Sequence, residues 1–269
     1  MKVGKLKNIV RMIHLAAFKT LRRGWEHILR LPSPHFGHYL FCFPTDLKFN
    51  FAKATTQGFD SVQNISTQTF TQAKSSANFF IGRVFNGALF DIPSDGTSLE
   101  SAVDQAGIQN MLNANSAGLD VDAYFVPRYA QLIENIDAQI DYTLKAISDA
   151  NLQLKTIWVV ILSNLHSGWT EDAPSNVDCL TRFLTQFKNI NNNVQIGIMT
   201  RQDELEDITG KNGDIGAAKP IGGTPLWWKN CDGSATFTAF AGWGAPTITQ
   251  TECGKQNFGI DKVNMDEKN

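Results

Sequence analysis

From residue 55 onward, short apolar stretches alternate with longer segments in which apolar residues recur every three or four positions. The short stretches, rich in aromatic and β-branched residues, predict strands at residues 58–63, 79–85, 121–126, 157–162 and 194–199. The longer segments predict helices at residues 66–76, 104–117, 129–150, 177–190 and 201–208. Beyond residue 208 the helical spacing ends, and the strand candidates are residues 225–228, 235–240, 246–250 and 258–261.

Five β/α units followed by strands alone predict an α/β fold, a modified (β/α) barrel. The alternative is a doubly wound open sheet, but no Gly-x-Gly-x-x-Gly or P-loop motif follows any predicted strand. We therefore predict a barrel over residues 55–269, preceded by an extension and linker over residues 1–54.

The N-terminal extension is basic, since residues 1–31 carry eight Lys or Arg residues against one acid, Glu26. Apolar residues recur there at helical spacing, which leaves three interpretations open: a helix that touches a membrane surface, a targeting segment, or an extra helix that never packs. The third is favoured. No convincing secretory signal is present, because the apolar run at residues 13–18 is interrupted by His14. No run reaches the roughly 20 apolar residues of a membrane-spanning helix.

Composition and charge exclude several classes of function. A chain of 269 residues with 42% hydrophobic residues can form one large core, and a net charge of −2 gives no general attraction to nucleic acid. The four cysteines and five histidines match no metal-binding spacing, so neither a metal nor a cofactor is expected. A disulfide between Cys231 and Cys253 is an option if the chain is exported.

Candidate functional residues are those that follow the predicted strands, because barrels of this class keep their chemistry at the carboxyl ends of the strands. Acids, amides and aromatic rings together suit carbohydrate, whose apolar faces stack on rings and whose hydroxyls bond to polar groups. Simpler structural roles, such as helix capping by Asp60 or ion pairing by Arg83, stay open as alternatives. The candidates are Asp60, Arg83, Asp122, Tyr124, Trp227, Trp228, Trp243, Gln250 and Asp261.

The order and spacing of several segments over residues 56–264 resemble the glycoside hydrolase family 25 lysozymes, most closely their roundworm-type members. The resemblance implies a modified (β/α) barrel that is secreted and acts on peptidoglycan, where the family's muramidases cut the β-1,4 bond after N-acetylmuramic acid. The segments are Gly58-Phe59-Asp60, Phe79-Phe80-Ile81-Gly82-Arg83-Val84, Ala117-Gly118-Leu119-Asp120-Val121-Asp122-Ala123-Tyr124, Ile157-Trp158, Pro225-Leu226-Trp227-Trp228, Gly242-Trp243 and Gly259-Ile260-Asp261.

By this resemblance, Asp60 and Asp261 match two of the family's catalytic acids, and Arg83, Tyr124, Trp227, Trp243 and Gln250 would contact glycan. The family's Trp-x-Asp-x-Glu motif reads Trp158-Val159-Val160-Ile161-Leu162 here, so Val160 replaces the Asp and Leu162 the catalytic Glu. Three hypotheses follow. The first is a catalytically impaired pseudo-muramidase that binds glycan in host defence. The second is an active muramidase with a displaced acid, and the third is a non-catalytic scaffold.

Overall fold

The computed structural model describes residues 55–88, 99–128, 136–163, 168–190, 194–210, 223–231, 233 and 235–268. The predicted N-terminal extension and the first seven residues of the helix predicted at 129–150 lie outside these ranges. Among the helices that are described, none is long and apolar enough to cross a membrane.

Eight strands form a closed barrel in which each strand pairs with its neighbours in chain order and β8 pairs with β1. Strands β1 to β7 run parallel, whereas β8 is antiparallel to both β7 and β1. The predicted barrel is therefore confirmed. The strands are β1 (Thr56–Asp60), β2 (Phe79–Asn86), β3 (Asp120–Val126), β4 (Thr156–Val160), β5 (Gln195–Thr200), β6 (Leu226–Lys229), β7 (Ile248–Asn257) and β8 (Ile260–Lys268).

A helix follows each of the first five strands, as predicted. Two helices begin at side-chain caps: the hydroxyl of Ser66 accepts a bond from Thr69 N at 3.2 Å, and Asp104 accepts one from Gly107 N at 2.9 Å. The helices are α1 (Thr67–Ala73), α2 (Gln105–Ser116), α3 (Ile136–Asp149), α4 (Ala173–Ile190) and α5 (Gln202–Thr209), with a short 3-10 helix at Leu99–Ala102.

Strand residues alternate between two apolar layers. One layer, the outer cluster, lies between the strands and the helices and includes Phe59, Phe125 and Trp243. Side chains of opposite parity fill the barrel as the inner cluster, which consists of Phe79, Ile81, Tyr124, Val126, Trp158, Val160, Leu162, Met199, Trp227 and Ile248.

Two glycines make room for large rings inside the barrel. A Cβ atom on Gly58 would lie 2.4 Å from the ring of Phe79, and one on Gly197 would lie 2.3 Å from the ring of Trp158. Side chains at these positions would displace the rings, so glycine is required for the packing of the inner cluster.

The C-terminal part differs from the prediction in two places. Residues 235–240 form no strand, and only an isolated bridge joins Phe240 to Trp243. Residues 258–261 are not a separate strand but contain a hairpin turn. Asn257 pairs with Ile260, and the two residues between them have positive φ, 55° at Phe258 and 73° at Gly259, as in a type I′ turn. Both arms of this hairpin are polar and therefore lacked a clear apolar pattern.

Candidate functional site

Asp60 is the last residue of β1 and lies at the barrel mouth, the end at which the parallel strands terminate. Its carboxylate is buried and accepts hydrogen bonds from Gln250 Nε2 on β7 and Asn264 Nδ2 on β8, each at 2.9 Å. Burial raises the pKa of Asp60 to about 7, although these hydrogen bonds act in the opposite direction. Two of the candidate residues, Asp60 and Gln250, are therefore in direct contact.

A second carboxyl group, that of Asp266 on β8, faces Asp60. Asp266 is fully buried, and its Oδ1 accepts a hydrogen bond from Trp227 Nε1 at 2.8 Å. Burial, together with the charge of Asp60, holds the pKa of Asp266 well above its usual range. Its buried Oδ2 has no hydrogen-bond partner among the described residues. The raised pKa favours the protonated form of Asp266, as in other pairs of neighbouring carboxyl groups.

Asp261, the residue predicted from the sequence for this position, does not join Asp60. The pairing of β1 with β8 ends at Asp60 and Asn264, so Asp261 lies beyond it, just after the hairpin turn. Its side chain is exposed and accepts a hydrogen bond from Gln256 Nε2 at 2.9 Å. The acid that faces Asp60 is Asp266, five residues later in the chain.

Val160 and Leu162 both belong to the inner cluster and are only 4% and 6% exposed. In the same cluster, the rings of Tyr124 and Trp158 lie 6.1 and 6.0 Å from the ring of Trp227. Trp227 is also the residue whose indole N–H donates to Asp266. Burial raises the pKa of Tyr124 further above its ordinary value, so it remains a neutral phenol. The end of β4 thus presents hydrocarbon to the interior of the mouth.

Arg83 and Asp122 take part in structural contacts. Arg83 Nε donates to Asp104 Oδ2 at 2.6 Å, which fastens β2 to the capping acid of α2. Asp122 accepts a bond from Thr156 N at 3.0 Å, and burial raises its pKa. Because Thr156 is the first residue of β4, Asp122 lies at the end of the barrel opposite to the mouth.

Trp243 was predicted to contact glycan, but the structure places it in the outer cluster rather than the barrel interior. Its indole N–H donates to the carbonyl of Thr224 at 2.7 Å, and its ring packs 5.3 Å from that of Phe240. Both contacts are internal, so the structure does not bring Trp243 together with Asp60.

Besides Asn264 and Asp266, the sequence reasoning missed Lys229, Glu204 and Ser163 near the mouth. Lys229 ends β6 in register with Gln250, and its Nζ lies 3.7 Å from Glu204 Oε1. Glu204, buried in the first turn of α5, also accepts bonds from Ser163 N at 2.7 Å and Ser163 Oγ at 2.6 Å. The alternation of side chains along β6 could have indicated Lys229, since Trp227, two residues earlier, faces the barrel interior. Glu204 could not have been recognised, because it lies among other polar residues in the first turn of α5.

Cys231 and Cys253 form a disulfide that joins the segment after β6 to β7. Cys253 Sγ lies 3.0 Å from Gln250 Oε1, so the disulfide borders the amide that bonds Asp60. In the part of the chain that the structure describes, no group of three His, Cys, Asp or Glu residues could hold a metal ion. The carboxyl and amide groups of the mouth are of the kinds that exchange hydrogen bonds with a hydroxylated organic ligand.

The chain is similar in sequence to known proteins over most of its length. A model of the family described as lysozyme-like protein 1 matches residues 52–250. Lysozyme-like protein 5 of Caenorhabditis elegans is 29% identical over 202 residues, which cover 73% of this chain and 84% of that protein. A probable GH family 25 lysozyme 4 of Dictyostelium discoideum is 28% identical over 162 residues, covering 59% and 70%.

Solved structures share the fold at low sequence identity. The spore cortex lytic enzyme SleM of Clostridium perfringens superposes with a TM-score of 0.62 at 15% identity, over 80% of this chain and 67% of that one. A muramidase from Trichobolus zukalii gives a TM-score of 0.57 at 19% identity, over 80% and 93%. At these identities the comparison concerns the architecture of the barrel alone.

Proposed function

The chain belongs to the lysozyme-like protein 1 family, and on that basis we propose that it binds peptidoglycan-type glycan at the barrel mouth while its muramidase activity is impaired. The observation that carries this proposal is the burial of Val160 and Leu162 in the inner cluster at the end of β4. These are the two positions that correspond, by resemblance, to the Asp and Glu of a family 25 lysozyme.

The impairment follows from the chemistry of glycoside cleavage. The reaction needs a proton for the leaving oxygen and a negative group near the oxocarbenium-like transition state. Neither valine nor leucine supplies either. Loss of a positioned general acid costs about 10²- to 10⁴-fold in rate, and loss of a second acid from the same site adds to that cost.

Glycan binding is supported by the groups that remain at the mouth. Asp60, Gln250 and Asn264 form a hydrogen-bonded polar set, next to the aromatic rings of Tyr124 and Trp227. Hydroxyl groups of a saccharide can exchange hydrogen bonds with carboxyl and amide groups, and its apolar face can pack on a ring. None of these contacts requires the missing acids.

An extracellular role in host defence belongs to the same proposal. Support comes from the Cys231–Cys253 disulfide, because such bonds persist in oxidising compartments and are rare in the cytosol. We therefore propose that the protein works outside the cell or in the secretory pathway, where it would meet bacterial walls.

One observation favours a second candidate, a slow muramidase with a displaced acid. Burial raises the pKa of both Asp60 and Asp266, which favours the protonated form that a general acid needs. Glu204 suits that role less well, because Ser163 and Lys229 surround its carboxylate with three donors. Two other acids, Glu171 and Asp172, are exposed residues just before α4, and Asp172 accepts a hydrogen bond from Ser175. No contact joins either acid to Asp60 among the described residues.

The proposal is tested by two measurements on the wild type and Asp60→Asn. In a bacterial wall-lysis assay, the wild type is expected to release no more soluble muropeptide than Asp60→Asn. In isothermal titration with muropeptide fragments, the wild type is expected to give a saturable heat that Asp60→Asn weakens. Lysis that disappears in Asp60→Asn would establish the second candidate instead. No heat at millimolar ligand would leave only a non-catalytic scaffold.

A further inference from the structure

Strand β6 differs from the first five strands because no helix follows it before β7. Its outward-facing side is covered instead by the chain between β6 and β7. Beside the first turn of α5, this arrangement leaves a cavity of about 420 Å³, called here the flank pocket. Cavities of this size accommodate small organic ligands.

The flank pocket combines ring surfaces with hydrogen-bonding groups. Its apolar wall is formed by the half-buried rings of Trp228 and Phe240, and Phe237 packs edge-on against Trp228 at 5.3 Å between ring centroids. Amide and hydroxyl side chains form its polar wall: Gln202, Asn230, Thr236 and Thr238. Flat rings opposite uncharged polar groups match the two kinds of surface that a pyranose ring presents.

The indole N–H groups of the three neighbouring tryptophans differ in a way that points to a ligand. Trp227 donates to Asp266 and Trp243 donates to Thr224, so both are engaged internally. No acceptor for the indole N–H of Trp228 exists among the described residues, and its ring is only half buried. This donor is therefore available to a group that enters the pocket.

The charges that line the pocket are already compensated. Arg201 forms a two-bond ion pair with Asp203, and Lys229 Nζ lies 3.7 Å from Glu204 Oε1. An anionic ligand would have to compete with these carboxylates, whereas an uncharged one would leave both pairs intact. The pocket therefore favours a neutral ligand.

From these observations we propose that the flank pocket is a second carbohydrate site, which takes an uncharged pyranose ring stacked on Trp228. This site shares its class of ligand with the barrel mouth but does not depend on Asp60. Trp227 and Trp228 are consecutive residues with opposite orientations, so one strand supplies a side chain to each site.

Because each tryptophan side chain has a single indole N–H, nuclear magnetic resonance can test the two sites separately. Uniformly ¹⁵N-labelled full-length protein is titrated with chitotetraose, an uncharged oligomer of N-acetylglucosamine, and the indole signals are assigned with Trp→Phe variants. A saturable shift of the Trp228 signal is expected. A stationary Trp228 signal at millimolar ligand would overturn the flank site, whereas a stationary Trp227 signal would count against binding at the mouth.

A matched pair of variants extends the test to affinity. Trp228→Leu is expected to weaken flank-site binding about tenfold or more, since it removes the stacking face but keeps an apolar side chain. Tyr142→Leu removes a comparably half-buried ring from α3, outside the pocket, and should leave the affinity unchanged. An unshifted Trp227 signal in the ligand-free Trp228→Leu variant establishes that its barrel is intact. Equal affinity for a carboxylated oligosaccharide would contradict the neutral specificity.

Discussion

The raised pKa of Asp266 predicts that replacing Asp266 by asparagine changes how stability depends on pH. Asparagine has nearly the same shape, and its oxygen can still accept from Trp227 Nε1. The variant Asp266→Asn therefore keeps this hydrogen bond while it removes an ionisable group whose folded-state pKa is raised by burial and by the charge of Asp60.

The raised pKa of Asp60 illustrates the sign and the scale of such a contribution. Its value is about 7 in the folded protein against 3.8 for the ordinary group. Between these values the folded state holds a proton that the unfolded chain has released, so the free energy of unfolding decreases as pH rises. At 1.36 kcal/mol per pKa unit, the wild type loses up to about 4 kcal/mol from this group between pH 4 and pH 7. Asp266→Asn keeps this contribution, because Asp60 stays buried, but removes the contribution of the same sign that the raised pKa of Asp266 makes.

Urea unfolding at intervals from pH 4.5 to pH 8.5 measures this effect as the difference between variant and wild type, which cancels the titration of all other groups. The wild type is expected to lose more free energy of unfolding than Asp266→Asn as pH rises across this range. Asp261→Asn is the control, because Asp261 is exposed and distant from the pair. Parallel curves for the wild type and Asp266→Asn would refute the raised pKa of Asp266.

Three further predictions concern the residues around the mouth. Trp227→Phe leaves Asp266 Oδ1 without its donor and should reduce the free energy of unfolding by about 1–3 kcal/mol in urea denaturation. The double variant Cys231→Ser/Cys253→Ser opens a loop of sequence separation 22 and should cost about 3 kcal/mol relative to the oxidised wild type in urea denaturation. Reduced wild type is the control and should behave like the variant. Leu162→Glu puts a carboxyl group into the inner cluster, where the ionised form costs more free energy than the protonated form. The melting temperature of this variant should therefore fall more at pH 8 than at pH 4. Equal losses at both pH values would mean that residue 162 is hydrated.

Much of the barrel could be predicted from the sequence because its parallel strands are short, apolar and separated by amphipathic helices. The strand at Phe79–Asn86 and the helix capped by Asp104 lie within a residue or two of their predicted bounds. Asp60 and Gln250, which are hydrogen-bonded in the structure, were both identified as candidates from the sequence. Asp60 lies within the first predicted strand, and Gln250 ends the predicted strand at residues 246–250.

The acid opposite Asp60 could not be assigned correctly from the sequence. Asp261 and Asp266 lie on the same polar strand, and only the position of the hairpin turn at Phe258 and Gly259 decides which of them enters the barrel. That turn has a non-glycine residue at positive φ, which no local pattern indicated. Likewise, Trp243 gave the signal of a sugar-binding ring, but its environment depends on a long irregular segment.

The central claim, that this lysozyme-like barrel holds glycan without cutting it, is tested most directly by muropeptide release from purified bacterial walls. Val160 and Leu162 leave hydrocarbon where cleavage needs a proton donor. The account predicts that release by the wild type stays at the level of Asp60→Asn. Release at a rate comparable with that of an intact family 25 muramidase, and absent from Asp60→Asn, would contradict it.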